Sequence, residues 1–562
     1  MLAISRVCSQ RTHLPRTKIM ARNDKLSLGI DFGTESVRAL LVDLDGAERA
    51  SAVVRYPHGQ IVDTLPTDPT NKLPIDYALQ HPQDWLESAT KAVNQAREDV
   101  GITADDVIGV GVDFTSCTML PTLSDGTPLC FVKKFAQQPL AWPKLWKHHG
   151  AKTQTDRINA VATERKEPLL ERYGGTIGLE WFFPKVLETI ENDPLVAAAA
   201  EVWLEAGDWF VWQLVGGGAA DVPRSTCQAG YKAMWSAEDG YPAKEFLKAI
   251  HPALPGVVAE KMPGRLVAPG NRAGELTPEM ADRFGLRAGT PVSAAIIDAH
   301  AGVPGAGAAE PGVLVMVMGT SSCHMLNAKE KRPVPGVAGI VKDGILPGYY
   351  GYETGQAAVG DAFDWLRRTL GQEKHDDLVR EAAKITPGAE GVCCLDWMNG
   401  CRTPLMDGRL TGAFVGLTLQ HTSAHLYRAL LEASAFGLRW IVETMREGGL
   451  PVDKFVATGG LPHHNPLVIE IYADVLGEPV TVHPCQYGPA LGAAILGTLA
   501  AGGEVSGFAS ASDAIRVMAE PRSDVATRRA RTVNPTRAAK SAYETAYRQY
   551  RDLAKHFQHV GR

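Results

Sequence analysis

The chain has 562 residues, more than one hydrophobic core usually supports, so two or more large domains are expected. Apolar residues make up 45% and charged residues 21%, ordinary for a globular protein, so disorder is not the default. A net charge of -6 without a long basic run argues against nucleic acid as the main partner.

Residues 1–24 carry Arg6, Arg11, Arg16, Lys18 and Arg22 and no acid before Asp24. That composition is like an organellar transit peptide, but the stretch lacks an amphipathic period. It is expected to be a disordered extension, with Met20 as an alternative start just before the first strand. Residues 26–54 read as a β-hairpin and a third strand, with Asp45-Gly46 in the second turn. Residues 81–99 read as a helix with Pro82 in its first turn, and 107–115 as an apolar strand ending at Asp113. Strands alternating with helices imply a mixed sheet covered on both faces, an α/β architecture.

The segment 131–262 is rich in Trp, Gly and Pro, has weak periodicity and is expected to hold substrate-specific insertions. The pattern then restarts. A strand reaches Asp298, and residues 312–326 read as strand, polar tip, strand. The domains are therefore expected at 25–289 and 290–562. Residues 421–448 form a long amphipathic helix, and 454–480 read as strand, Gly-Gly turn, helix and strand. The stretch "GPALGAAILGTLAAGG", interrupted by Pro489, is too broken to span a bilayer and reads as a packed core helix, so no membrane is implied. A last helix covers 538–556. The nine cysteines show no CxxC pair, which fits small buried hydrophobes in a reducing cytosol rather than disulfides or zinc.

Chemistry concentrates at strand ends. In "LGIDFGTESVRALLVD" the hairpin tip holds Gly33, Thr34, Glu35 and Ser36, beside Asp31. Glycine lets backbone approach a ligand, and successive N–H groups with hydroxyls can hold a phosphate. An aspartate belongs there if Mg²⁺ sits between it and the phosphate. The alternative is an ordinary turn whose polar groups satisfy one another. A second tip, Gly319, Thr320 and Ser321 in "MGTSSC", favours a two-loop phosphate clamp. No GxxxxGK[ST] loop is present, and "GAGAAE" at 305–310 fails the dinucleotide pattern. Gly459 and Gly460, with Asn465 after them, could admit an adenine or ribose against bare backbone, or could simply make a tight turn. His463 and His464 read as surface or capping residues. Asp298 is a general-base candidate, or the N-cap of the next helix.

Together these motifs, with "GVDFTSCTMLP", "AGYKAMW", "DAHAG", "GYETGQAAVGDAFDW", "LDWMNGCRTP" and "GAFVGLTLQHTSAHLYRALLEASAFG", resemble the FGGY carbohydrate kinases of the sugar kinase, Hsp70 and actin superfamily. The resemblance runs from about residue 26 to 549, and within the family it is most similar to the branch acting on L-ribulose. It implies two actin-like (ribonuclease H-like) domains with nucleotide and sugar in the cleft between them. It implies ATP as co-substrate, Mg²⁺ near Asp31 through water, and transfer to the C5 hydroxyl of L-ribulose in arabinose catabolism. The resemblance puts Gly33, Thr34, Glu35, Ser36, Gly319, Thr320, Ser321, Gly459, Gly460 and Asn465 at ATP. Asp298 becomes the base, and Lys232, Glu353 and the backbone at Ser116 become sugar contacts, with Asn399 a further one. It also implies a cytoplasmic homodimer. The alternatives are another FGGY kinase, for D-ribulose, D-xylulose or glycerol, and a non-catalytic nucleotide-binding protein of the Hsp70 or actin kind.

Overall fold

The computed structural model describes residues 24–372, 374–522 and 529–560. The expected N-terminal extension lies outside these residues, save for Asp24.

The first sheet grows from the stretch of alternating apolar residues at the start of the described chain. Strand β1 (Leu26–Phe32) is buried throughout and pairs antiparallel with β2 (Ser36–Asp43), which pairs antiparallel with β3 (Glu48–Arg55). Helix α1 (Pro82–Val100) follows. His81 caps it by accepting from Gln83 N–H, and Gly101 ends it in the left-handed region at φ 68°. Its buried face carries Trp85, Ala89, Ala92, Val93 and Ala96. Strand β4 (Val107–Phe114) then runs parallel to β1, with Asp113 opposite Asp31.

Within the Trp-rich middle segment lie α2 (Phe182–Asn192), α3 (Ala206–Val215) and α4 (Thr226–Lys232). Much of this segment has a core of its own, built on Phe182, Phe183, Leu187, Trp203 and Phe246. Weak periodicity there is understandable: short helices packed on several sides need no single apolar stripe. The chain then returns to the first sheet through β5 (Arg272–Glu275), β6 (Pro291–Ser293) and β7 (Ile296–Ile297). The sheet order is β5-β6-β4-β1-β2-β3, and β7 also pairs with β4.

This pairing moves the expected boundary at 289/290. Residues 291–297 complete the first sheet because Val292, Ile296 and Ile297 are apolar and buried when laid parallel to β4. Helix α5 (Asp298–Gly305) leaves that sheet, and the second begins with β8 (Val313–Met318) and β9 (Ser322–Ala328). The remaining elements are β10 (Gly339–Lys342), β11 (Tyr350–Gln356), α6 (Gly360–Thr369), α7 (Ser423–Glu447), β12 (Lys454–Thr458), α8 (Pro466–Leu476), β13 (Val480–Val482), α9 (Gly488–Ala501), β14 (Arg531–Val533) and α10 (Lys540–Val560). The second sheet runs β10-β11-β9-β8-β12-β13-β14.

The two sheets repeat one plan. In each, a hairpin and a third antiparallel strand lie on one side, and two parallel strands and a last antiparallel strand on the other. The hairpin tips at 33–36 and 319–321 are therefore equivalent positions in two halves.

Helix α9 joins the halves. A Cβ on Gly111 would lie 1.8 Å from the Ala493 carbonyl oxygen, and one on Gly29 2.0 Å from that of Ala490. On the other side a Cβ on Gly492 would lie 1.8 Å from the Ala301 oxygen of α5. The Gly/Ala composition lets α9 touch β1, β4 and α5 backbone to backbone. Among the described residues no single helix is long and apolar enough to cross a membrane.

Candidate active site

Three carboxylates converge where β1, β4 and β7 end. Asp31 and Asp113 occupy the same rung of β1 and β4, and Asp298 follows β7, whose Ile296 pairs with Asp113. Asp31 is held by Arg38 Nη1 at 2.7 Å, and the Arg38 guanidinium lies 4.4 Å from the centre of the Tyr487 ring. Asp113 is fully buried with its carboxyl facing that of Asp31, and among the described residues no donor group meets either of its oxygens. Burial, then the charges of Asp31 and Asp298, push its carboxyl well above the usual range. The three carboxylates do not bring ligand oxygens together around one point, but a hydrated cation near them would relieve the repulsion.

Asp298 does not cap α5. The N-cap position is Ile297, and the one hydrogen bond to Asp298 Oδ1 comes from its neighbour Ala299 N–H at 2.7 Å. Burial, with the charges of Asp31 and Glu353, pushes its carboxyl up to about 7, against the pull of the Ala299 N–H and Lys232. A base poised near neutral pH results.

The first hairpin tip is fixed from outside. Gly33 N–H donates to Ser36 O, Tyr56 OH donates to Gly33 O at 3.2 Å, and Gln80 Nε2 donates to Thr34 O at 2.9 Å. Trp146 Nε1 donates to the Thr34 hydroxyl oxygen at 3.1 Å, which leaves that hydroxyl's proton to donate elsewhere. The Glu35 carboxylate instead takes a hydrogen bond from Gln60, so Glu35 faces an anion only through its backbone.

The second tip is braced by the start of α6. Val359 N–H donates to Thr320 O at 2.9 Å, Gly360 N–H to Gly319 O at 3.1 Å, and Asp361 N–H to Thr320 O at 3.1 Å. Gly319 and Thr320 are exposed, while Ser321 is half-buried. Gly459 stacks on the root of this loop. It has φ +91°, and a Cβ there would meet Met318 O at 2.5 Å. The Gly-Gly turn thus shares a floor with the loop, and Gly460 is exposed. Asn465 is placed differently: it is buried behind the turn and its amide donates to Tyr427 OH at 3.4 Å.

Next to Asp298 lies an ion pair between the halves. Lys232, the last residue of α4, reaches both oxygens of Glu353 on β11, at 3.0 and 2.9 Å. Both side chains are buried. Burial alone would neutralise each, but Lys232 holds the Glu353 carboxyl far below its usual range and Glu353 holds the Lys232 ammonium above its own. His300 Nε2 approaches Glu353 at 3.5 Å, and burial lowers its pKa against the pull of that carboxylate. The ammonium also sits 5.8 Å from the centre of the Trp181 ring.

Ser116 lies half-buried in the turn after β4. Its neighbour Cys117 has φ 55°, a left-handed backbone for a residue with a side chain. The fully buried Lys185 ammonium of α2 donates to Cys117 O at 2.6 Å and to Leu145 O at 2.8 Å, fixing this peptide. Asn399 is exposed; from the same loop it is Arg402 whose guanidinium approaches Cys323, 3.8 Å away.

Sequence reasoning missed Asp113, Arg38, His300, Lys185 and Arg402. Asp113 had a visible signal, an acid in the last turn of an otherwise apolar strand. Lys185 and Arg402 had none, since a lone basic residue in an irregular segment ordinarily faces solvent.

Comparison with known proteins adds a second line. The N-terminal domain of the FGGY family of carbohydrate kinases matches residues 26–305, and its C-terminal domain matches residues 314–501. The chain is 44% identical over 546 residues to a ribulokinase of Shouchella clausii, covering 95% of each. It is 44% identical over 545 residues to a ribulokinase of Anoxybacillus flavithermus, covering 95% of this chain and 94% of the other. The crystal structure of xylulose kinase from Rhodospirillum rubrum superposes with a TM-score of 0.75 at 23% identity, covering 96% of this chain and all of that one.

Proposed function

The chain belongs to the FGGY family of carbohydrate kinases, and we propose that it transfers the γ-phosphoryl group of ATP to the C5 hydroxyl of L-ribulose, giving L-ribulose 5-phosphate and ADP. The observation that carries this reading is the grouping of a carboxyl poised near pH 7, Asp298, with the Lys232–Glu353 pair. A neutral polyol needs such a base and such fixed polar partners, and full-length relatives at 44% identity are ribulokinases.

In this reading the sugar lies against Lys232, Glu353 and the backbone at Ser116. The fixed ammonium donates to sugar oxygens and the carboxylate accepts from hydroxyls, which rewards a ligand with hydroxyls at matching positions. Asp298 accepts the C5 hydroxyl proton as that oxygen bonds to the γ-phosphorus and the bond to ADP breaks. The transition state is loose, so the proton leaves late and a carboxylate suffices. Backbone N–H groups and hydroxyls of Gly33–Ser36 and Gly319–Ser321 receive the phosphate oxygens, preorganised by the contacts that brace each loop. Gly459 and Gly460 offer bare backbone to the nucleoside, and Asn465 steadies the turn from behind. Asp31 would hold Mg²⁺ through water, beside the Asp113 oxygens. Bound there, Mg²⁺ supplies charge neutralisation to the phosphates. Closure of the halves around α9 would exclude water and limit ATP hydrolysis.

A coupled ADP-release assay over L-ribulose, D-ribulose, D-xylulose and glycerol tests the substrate. The expected result is a kcat/KM for L-ribulose well above the rest. Equal or better turnover of D-xylulose or glycerol would assign the chain to another branch of the family, and ADP release independent of any sugar would remove the kinase reading. We place the reaction in arabinose catabolism and the enzyme in the cytoplasm as a homodimer, which sedimentation of the purified protein would check.

A further inference from the structure

His300 follows Asp298 by two residues on α5, and its side chain is fully buried. Yet among the described residues neither ring nitrogen has a hydrogen-bond partner. Buried polar side chains are normally bonded, so an orphaned imidazole calls for an explanation.

The ring is held in place by a neighbour from the first half. Its centre lies 4.2 Å from that of the Tyr231 ring. Tyr231 sits in a socket of glycines from the second half. A Cβ on Gly344 would lie 2.8 Å from its ring, and Cβ atoms on Gly339 and Gly351 would collide with the same side chain. His300 is thus kept between Tyr231 and Glu353, with Nε2 3.5 Å from Glu353 Oε2, the outer edge of hydrogen-bond reach.

Glu353 has few acceptor sites to share. A carboxylate offers about four lone-pair sites, two on each oxygen. Lys232 Nζ takes one on Oε1 at 3.0 Å and one on Oε2 at 2.9 Å. A small approach by His300 Nε2–H fills the second site on Oε2. The site then left open is on Oε1.

We propose that His300 is a positioning residue for the sugar: its Nε2–H bonds Glu353 Oε2, stops the carboxylate from turning, and leaves Oε1 to accept from a ketose hydroxyl. Asp298 opens the same helix, so this brace also ties the sugar-binding carboxylate to the element that carries the base. A hydroxyl donating to Oε1 meets an acceptor already turned towards it.

The proposal rests on the ketose kinase reading, so the wild-type protein is first assayed on L-ribulose. If it is silent, that reading fails, and the variants are then compared on whichever polyol or ketose it does phosphorylate. A protein that phosphorylates none of them overturns both. The variants are His300→Phe, which keeps a ring against Tyr231 but cannot donate, and His300→Gln, whose amide can donate from near the place of Nε2. The measurements are KM for sugar and for ATP, and calorimetric Kd for the sugar alone. Expected for His300→Phe are at least tenfold rises in sugar KM and Kd, with ATP KM within twofold of wild type. His300→Gln should recover part of the loss. A sugar Kd within twofold of wild type in His300→Phe, or equal losses in the two variants, would overturn the proposal and leave His300 as a packing residue. Should His300→Phe fail to fold, NMR of wild-type protein carrying isotope-labelled histidine decides. The His300 Nε2 proton, identified as the signal missing from His300→Gln, should move downfield on addition of sugar, and an unmoved signal would overturn the proposal.

Discussion

Asp31 and Asp113 occupy the same rung of two parallel strands, with Arg38 on one side of the pair and Asp298 beyond it. Arg38 compensates Asp31, but among the described residues no donor group meets the Asp113 carboxyl, which faces Asp31. The site thus stores electrostatic repulsion that a ligand can relieve, a common mark of functional positions.

Asp113→Asn should raise the Tm of the ligand-free protein, because it removes an ionisable group that burial and Asp31 both disfavour. Asp31→Asn should not, because it strips Arg38 of its partner. Calorimetry of both variants without nucleotide or metal checks this; an unchanged or lower Tm for Asp113→Asn would remove the repulsion argument.

Asp298→Asn should lower kcat by about 10²–10⁴-fold while leaving ATP binding in place. For the wild type, kcat/KM for the sugar should rise with pH through about 7, as Asp298 ionises. Stability has the opposite sign. A carboxyl whose folded pKa is raised contributes stability that is full below its unfolded value and is lost as pH rises through about 7. Asp298→Asn should therefore raise the Tm at pH 8 and matter progressively less towards pH 5. A rise that is the same at both pH values would contradict the assignment.

Glu353→Gln leaves Lys232 buried without its counter-charge and should cost about 3–5 kcal/mol of stability. The double variant Lys232→Met with Glu353→Gln should cost less than Glu353→Gln alone. Urea denaturation of the wild type, both single variants and the double variant would show it, and strict additivity would mean the pair is not coupled.

The two halves were legible in the sequence because each opens with a strand reaching a Gly, Thr and Ser tip, and the structure gives those tips equivalent places. Their boundary was not. Residues 291–297 read as the start of something new, since Asp298 looked like the opening of the second half; strand pairing with β4 decides otherwise, and pairing is non-local. Asp31, Asp298, Lys232 and Glu353 were read from motifs, and the fold brings the other three within electrostatic reach of Asp298. Asn465, read from its motif as a nucleotide contact, is buried with its amide donating to Tyr427 OH. Asp113 was visible as an acid ending an apolar strand, whereas Lys185 and Arg402 gain meaning only from what the fold lays beside them.

Gly111→Ala should destabilise by roughly 1–3 kcal/mol, because the added methyl meets a backbone carbonyl that cannot turn aside. Gly256→Ala is the control: it lies within a short helix and a Cβ there meets nothing within 4 Å, so it should be neutral or slightly stabilising. Equal losses for the two would show that glycine at 111 is not required by the α9 contact.

That contact also bears on how the chain is made. The face of the first sheet formed by β1 and β4 is covered by α9, which begins at Gly488, long after β7 has been synthesised. During synthesis the first half waits for its cover with Gly29, Gly109 and Gly111 bare and apolar strands beside them. A fragment ending at residue 305 would be left in that state permanently, so the first half needs the far end of the polypeptide before it is a finished folding unit.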